Sequence, residues 1–247
     1  MSSGRADQID HNPETMSTRV GLSTTQLIWL ILGLGLLLRL WGAWRANLTY
    51  DEAAHLVYAQ QISFRSDRFN LIFRSDNHPL LNAYTIKLSS MLFGFSFFGL
   101  RIVHVLIGTA TIWVVYALGR RVYSESAGLW AAALVATDQF HASWSRTFLQ
   151  ETPMLFWFGL TLLAFINVME RRRTRDYVLL GISMALTYLA KETGILLIAA
   201  MWIFLFVTPA DRSILRDRRW YLAYLIALVI VLPDLVYNVQ YFSDSYL

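Results

Sequence analysis

Cysteine is absent from this sequence, which excludes a disulfide framework, a thiolate metal site and a thiol nucleophile. Charge is scarce as well. Only 15% of the 247 residues are charged, against about a quarter in an ordinary soluble domain. Lysine is nearly missing, with Lys87 and Lys191 alone, so arginine carries almost all of the positive charge. What fills the space is apolar: 56% of residues are hydrophobic and mean hydropathy is +0.44. That balance excludes a typical soluble fold and points to a polytopic membrane protein.

The net charge of +4 does not indicate nucleic acid. The arginines sit in short clusters between apolar runs, as the positive-inside rule requires of cytoplasmic loops. Residues 1–25 are polar, with acids at positions 7, 10 and 14, and contain no apolar stretch. They read as a disordered cytoplasmic tail rather than a signal peptide.

A membrane-crossing helix needs about 20 apolar residues. The runs at 26–46, 100–119, 126–144, 153–169, 177–190, 193–207 and 220–237 fit, giving seven spans in an all-α protein. The run at 79–98 is interrupted by Asn82, Lys87, Ser89 and Ser90 and reads as an amphipathic interfacial helix. With the N-terminus inside, the clusters Arg120-Arg121, Arg171–Arg175 and Arg212–Arg219 then all fall on the cytoplasmic side, and Asp51 and Glu151 share the opposite face. Were the run to cross with the N-terminus outside, the clusters would still be cytoplasmic but the two acids would face opposite sides. The organisation is a tail (1–25), a transmembrane module (26–237) with an external loop of juxtamembrane helices (47–99), and an external tail (238–247). Most tryptophans, Trp41, Trp44, Trp144 and Trp220 among them, fall at span ends and read as boundary anchors. Arg39 lies inside the first span, where a functional role and snorkelling to the interface both fit.

The external loop opens with Thr49-Tyr50-Asp51-Glu52. Thr49 can cap a helix, and on that helix Asp51, His55 and Tyr58 lie one turn apart on one face. A second acid, Glu151, follows Ser145-Arg146 where a span re-enters the membrane. Taken singly, each acid suits a helix cap. Together they place two carboxylates at one membrane face, with Arg146, Lys191, Arg101, His78, His104 and His141 at or near it. Acids beside cations suit deprotonation of an acceptor and binding of a phosphate leaving group. Asp51, His55 and His78 also offer N and O ligands for a divalent cation. Asp138, near the end of the third span, is a further candidate, and Asp234 reads as a span-end residue.

These motifs, in this order, resemble the GT-C glycosyltransferases of the protein O-mannosyltransferase and aminoarabinose transferase type. The similarity runs through Asp51-Glu52, His78-Pro79-Leu80 with the amphipathic stretch after it, Arg101-Ile102, Gly119-Arg120-Arg121, Ser145-Arg146 with Glu151, and Leu189-Ala190-Lys191. It covers roughly residues 26–207. The resemblance implies a polyprenyl-phosphate sugar donor and an inverting single displacement at the extracytoplasmic face of the cell membrane. Asp51 is then the base and Glu151 a second active-site carboxylate. His78 and Lys191 contact the donor phosphate. Beyond the resemblance, Arg146 is expected to join them on the phosphate, and Glu52 and His55 to help bind substrate. Implied partners are membrane lipid and a protein or glycolipid acceptor. Two departures stand out. Glu151 replaces the usual Asp, and Asn77-His78 replaces the Glu-Lys pair of the aminoarabinose enzymes. Enzymes of this type are much longer, so the resemblance covers an N-terminal membrane module, with a partner subunit supplying further spans as one expectation. The competing reading is a non-catalytic binder or transporter of a lipid-linked substrate, or a truncated inactive relative. A transporter is expected to bury polar groups at mid-span on broken helices, whereas here they gather at one face.

Overall fold

The computed structural model describes residues 22–64 and 79–243. These form ten α-helices with short connections and no sheet. The order is α1 (Thr24–Arg45), α2 (Tyr50–Gln61), α3 (Leu81–Phe93), α4 (Phe97–Val122), α5 (Glu125–Thr137), α6 (Gln139–Ser145), α7 (Glu151–Arg171), α8 (Thr174–Ala190), α9 (Ile195–Val207) and α10 (Arg218–Ser243). Local chemistry explains the starts. Ser23, Thr49, Ser96, Ser124 and Asp138 each accept a backbone N–H with their side chains at helix N-termini. Gly94, at φ +82°, ends α3 in a backbone region open to glycine.

Four described helices are long and apolar enough to cross a membrane: α1, α4, α7 and the Arg218–Val236 part of α10. The other three expected spans are shorter. α8 has 17 residues and α9 has 13. The run at 126–144 is broken at Asp138 into α5 and α6. The protein is a membrane-embedded helical bundle, as expected, but a count of seven full-length spans is not what these helix lengths give. Large apolar side chains such as Trp29, Leu37, Trp41, Trp130 and Leu196 face outward, more than a water-facing surface carries. α3 is polar on the inside: Asn82, Thr85 and Ser89 are buried, whereas Leu88, Met91 and Leu92 are exposed. Ser89 donates to the Gly99 carbonyl at 2.7 Å, fixing α3 against α4.

Packing follows small residues. A Cβ placed on Gly119 of α4 would lie 2.8 Å from the Gly128 Cα of α5, so only glycine allows the two backbones this close. On the other side, α7, α8, α9 and α10 enclose a core around Phe165, Tyr177, Met184, Leu205 and Trp220. One end of the bundle is arginine-rich. There Arg121 of α4 pairs with Glu170 of α7, Arg172 donates to Ser213 at 2.6 Å, and Tyr177 donates to Asp217 at 2.9 Å.

Arg39 does not snorkel. It is fully buried and donates to the carbonyls of Gly35 (2.8 Å), Ala136 (3.2 Å) and Val135 (3.1 Å). Its guanidinium also meets His141 Nδ1 at 2.6 Å. The last two carbonyls belong to the C-terminal end of α5, where orphan acceptors attract a cation. Asp234 is likewise buried within α10 and accepts the backbone N–H of Leu80, which ties α10 to the start of α3.

Candidate active site

The site forms at the end of the bundle opposite the arginine clusters. It starts with a capping box: Thr49 Oγ1 accepts the Glu52 N–H at 3.2 Å, and Thr49 N–H donates to Glu52 Oε2 at 3.0 Å. Both Glu52 oxygens are also held by Arg101 of α4, through Nε and a terminal nitrogen, each at 2.8 Å. Phe148 N–H donates to the same carboxylate at 3.3 Å. The rest of the Arg101 fork is spent on the carbonyls of Ala43 (3.1 Å), Ala46 (2.7 Å) and Asn47 (2.9 Å). Glu52 and Arg101 have no exposure. They lock the end of α1, the start of α2 and the link before α7 into one piece.

With Glu52 turned inward, its neighbour Asp51 faces away from that lock. Asp51 is exposed and has no hydrogen-bond or ion-pair partner among the described residues. It lines a cavity of about 270 Å³ together with His55 and Tyr58 of the same helix. The opposite wall comes from Trp144 of α6 and from Gln150 and Glu151 at the start of α7. The two acids therefore share one pocket. Glu151 accepts from Lys191 Nζ at 2.8 Å, each side chain about one quarter exposed. Lys191 sits just past the C-terminus of α8, whose backbone ends there in extended conformation.

The remaining candidates divide. His55 is 8% exposed and lies in the cavity wall with its ring edge-on to Tyr58. Glu52 does not line the cavity, and its hydrogen bonds to Thr49, Arg101 and Phe148 explain why. Arg101 and His104 are internal too, and His104 Nε2 meets Asn82 Oδ1 at 2.9 Å. Arg146 runs its stem across Gly42 of α1, where a Cβ would collide with Arg146 Cδ at 2.5 Å. It has no acidic partner among the described residues and does not line the cavity. Asp138 caps α6 through the His141 N–H at 2.5 Å and is also absent from the cavity wall. His78 lies outside the described residues. Among the described residues no three His, Asp or Glu gather as metal ligands. Trp144 and Gln150 are among the wall residues that sequence reasoning did not select, with Ala54 and Leu149. Trp144 looked like a boundary anchor, and Gln150 showed no signal beyond standing next to Glu151.

The class defined by fold and site is a membrane-embedded helical bundle with a carboxylate-bearing cavity at one end, the arrangement expected from the resemblance to GT-C type glycosyltransferases. Residues 77–237 match the family model of dolichyl-phosphate-mannose-protein mannosyltransferases, and the chain belongs to that family. The match includes Glu151 and Lys191, and Asp51 lies before it. A curated relative, the lipid A galacturonosyltransferase RgtD of Rhizobium johnstonii (strain DSM 114642 / LMG 32736 / 3841), is 27% identical over 200 residues, or 80% of this chain and 41% of the relative. The Saccharomyces cerevisiae protein O-mannosyltransferase Pmt1-Pmt2 complex bound to the sugar donor shares the fold. Its TM-score is 0.63 at 18% identity, over 92% of this chain and 34% of that one. The oligosaccharyltransferase AglB of Archaeoglobus fulgidus, in complex with an inhibitory peptide and a dolichol-phosphate, also has a TM-score of 0.63. It is 19% identical over 85% of this chain and 29% of its own. The chain spans less than half the length of each of these proteins.

Proposed function

We propose that this chain transfers a sugar from a polyprenyl-phosphate donor to an acceptor at the extracytoplasmic face of a cell membrane. The observation that carries the reading is the shared cavity: an Asp51 carboxylate without a partner among the described residues faces a wall that holds Glu151 paired with Lys191. The arginine-rich end lies opposite, and arginine clusters favour the cytoplasm, so the cavity opens to the other side.

The chemistry is a single displacement at the anomeric carbon. The acceptor O–H or N–H gives its proton to Asp51 as its oxygen or nitrogen forms the new glycosidic bond. The anomeric C–O bond to phosphate breaks, and its electron pair leaves with the polyprenyl phosphate. Attack and departure on opposite faces invert the anomeric centre. Lys191 has three N–H donors, so one can remain on Glu151 while the others meet the phosphate. The lipid tail lies along the outward apolar helices. RgtD's acceptor is lipid A by name, and Pmt1-Pmt2 is a protein O-mannosyltransferase. A glycolipid or a protein hydroxyl is therefore the acceptor class to assay.

The test is a transfer assay on purified protein with a panel of polyprenyl-phosphate sugars, run on wild type, Asp51→Asn and Glu151→Gln. Loss of turnover in Asp51→Asn with retained folding supports the assignment. Turnover unchanged in both variants would defeat it and favour a non-catalytic binder.

A further inference from the structure

We propose that Gln150 reads the sugar of the donor. This rests on the glycosyl-transfer reading of the cavity and adds a specificity-determining residue to it. Gln150 stands between the apolar link residue Leu149 and the acid Glu151, and it contributes to the cavity wall. Its side chain is only 6% exposed, and its amide oxygen Oε1 has no hydrogen-bond partner among the described residues. It does not serve the helix it introduces, because it makes no side-chain cap bond to α7. A buried amide oxygen without a donor is costly, and native proteins keep such atoms where something else supplies the donor.

The chemistry of the reactants narrows that donor. The ionised phosphate of the donor carries acceptors only, so it cannot satisfy Oε1. The acceptor substrate's proton goes to Asp51. The Lys191 ammonium is shared between Glu151 and, on the reading above, the donor phosphate. What remains in a loaded cavity is the hydroxyl set of the transferred sugar, which can donate to Oε1 and accept from Nε2 at once. The terminal amide torsion of glutamine turns with little cost, so the wall can swing Oε1 toward the cavity. A neutral amide also suits hydroxyls better than a third carboxylate beside Asp51 and Glu151.

The test measures equilibrium binding of wild-type protein and Gln150→Leu to three probes: sugar-free dolichyl phosphate, dolichyl-phosphate mannose and dolichyl-phosphate galacturonate. Wild type is expected to bind at least one sugar-bearing probe more tightly than the sugar-free lipid. Gln150→Leu is expected to lose about tenfold of that preference while keeping its affinity for the sugar-free lipid. Its thermal midpoint should hold or rise, because leucine removes a stranded acceptor from an enclosed wall. Preference unchanged within the error of the measurement overturns the proposal. So does an equal loss on all three probes, which is the mark of a merely structural residue. A wild type indifferent to the sugar counts against the donor reading itself.

Discussion

Glu52 and Arg101 meet through two contacts of 2.8 Å with neither side chain exposed. The pair joins α2 to α4 and leaves Asp51 as the acid free to face the cavity. Removing one partner of a buried pair strands the other charge, at a cost of about 3–5 kcal/mol. Glu52→Gln and Arg101→Met are therefore each expected to lower the detergent-solubilised thermal midpoint strongly. The double variant Glu52→Leu with Arg101→Met should lose much less than the sum of the two single changes. A purely additive double variant would show that the ion pair does not couple these helices.

Asp51 and Glu52 are adjacent in sequence but should respond in opposite ways. Asp51 is exposed and makes no contact that folding depends on. Asp51→Asn is expected to keep the wild-type melting temperature and to cut transfer by about 10²–10⁴, the usual worth of a general base. A melting curve recorded beside the transfer rate separates the two residues. Equal destabilisation by Asp51→Asn and Glu52→Gln would contradict the division of labour drawn from the geometry.

Glu151 and Lys191 are each about one quarter exposed, so their pairing is worth little to folding, at most about 1 kcal/mol. Lys191→Met is expected to leave stability close to wild type and to raise the KM for the lipid-phosphate donor. Higher salt should weaken donor binding less in this variant than in wild type, because one phosphate contact is already gone. An unchanged donor KM in Lys191→Met would remove this residue from phosphate binding.

The two acids were legible in the sequence because charge is expensive beside a bilayer, and both stand where apolar runs begin or end. The fate of Glu52 was not legible. Its partner is 49 residues away, and a capping acid looks the same whether or not an arginine covers it. Arg39 was ambiguous for a related reason. The run at 126–144 looks continuous by hydropathy, yet the chain breaks at Asp138, and that break exposes the α5 carbonyls that Arg39 fills. Trp144 illustrates a limit of composition, since a boundary tryptophan and a cavity-wall tryptophan occupy the same place along a span. Even the bundle's membrane nature was readable while its span count was not. Helices of 13 to 17 residues such as α8 and α9 are apolar without being long.

The close approach of α4 and α5 rests on two glycines. A Cβ on Gly119 would meet the Gly128 Cα at 2.8 Å, and one on Gly128 would meet the Tyr116 carbonyl oxygen at 2.6 Å. Both obstacles are backbone atoms that cannot rotate aside. Gly128→Ala should therefore destabilise by about 1–3 kcal/mol, as overpacked sites do. Gly33→Ala, with nothing within 4 Å of its Cβ, is the matched control on α1 and should be neutral or slightly stabilising. Thermal midpoints of the two variants decide the matter, and similar values for both would mean the α4–α5 contact is looser than these distances require.

At the arginine-rich end, Asp217 precedes α10 and holds its carboxylate well below the usual range. The chief cause is the Arg219 side chain, which donates through Nε at 3.0 Å and a terminal nitrogen at 2.8 Å. The Arg219 backbone N–H and the Tyr177 hydroxyl add to it. A carboxylate with a depressed folded pKa stabilises the fold above its unfolded value, near 3.9, and that contribution drains away as pH falls toward the folded value. Asp217→Asn is expected to melt below wild type at pH 7, with the gap constant down to about pH 5 and closing as the medium is acidified further. Thermal unfolding of both proteins across that range reads the gap directly. A gap that stays the same at every pH would show that Asp217 acts through shape alone and not through its charge.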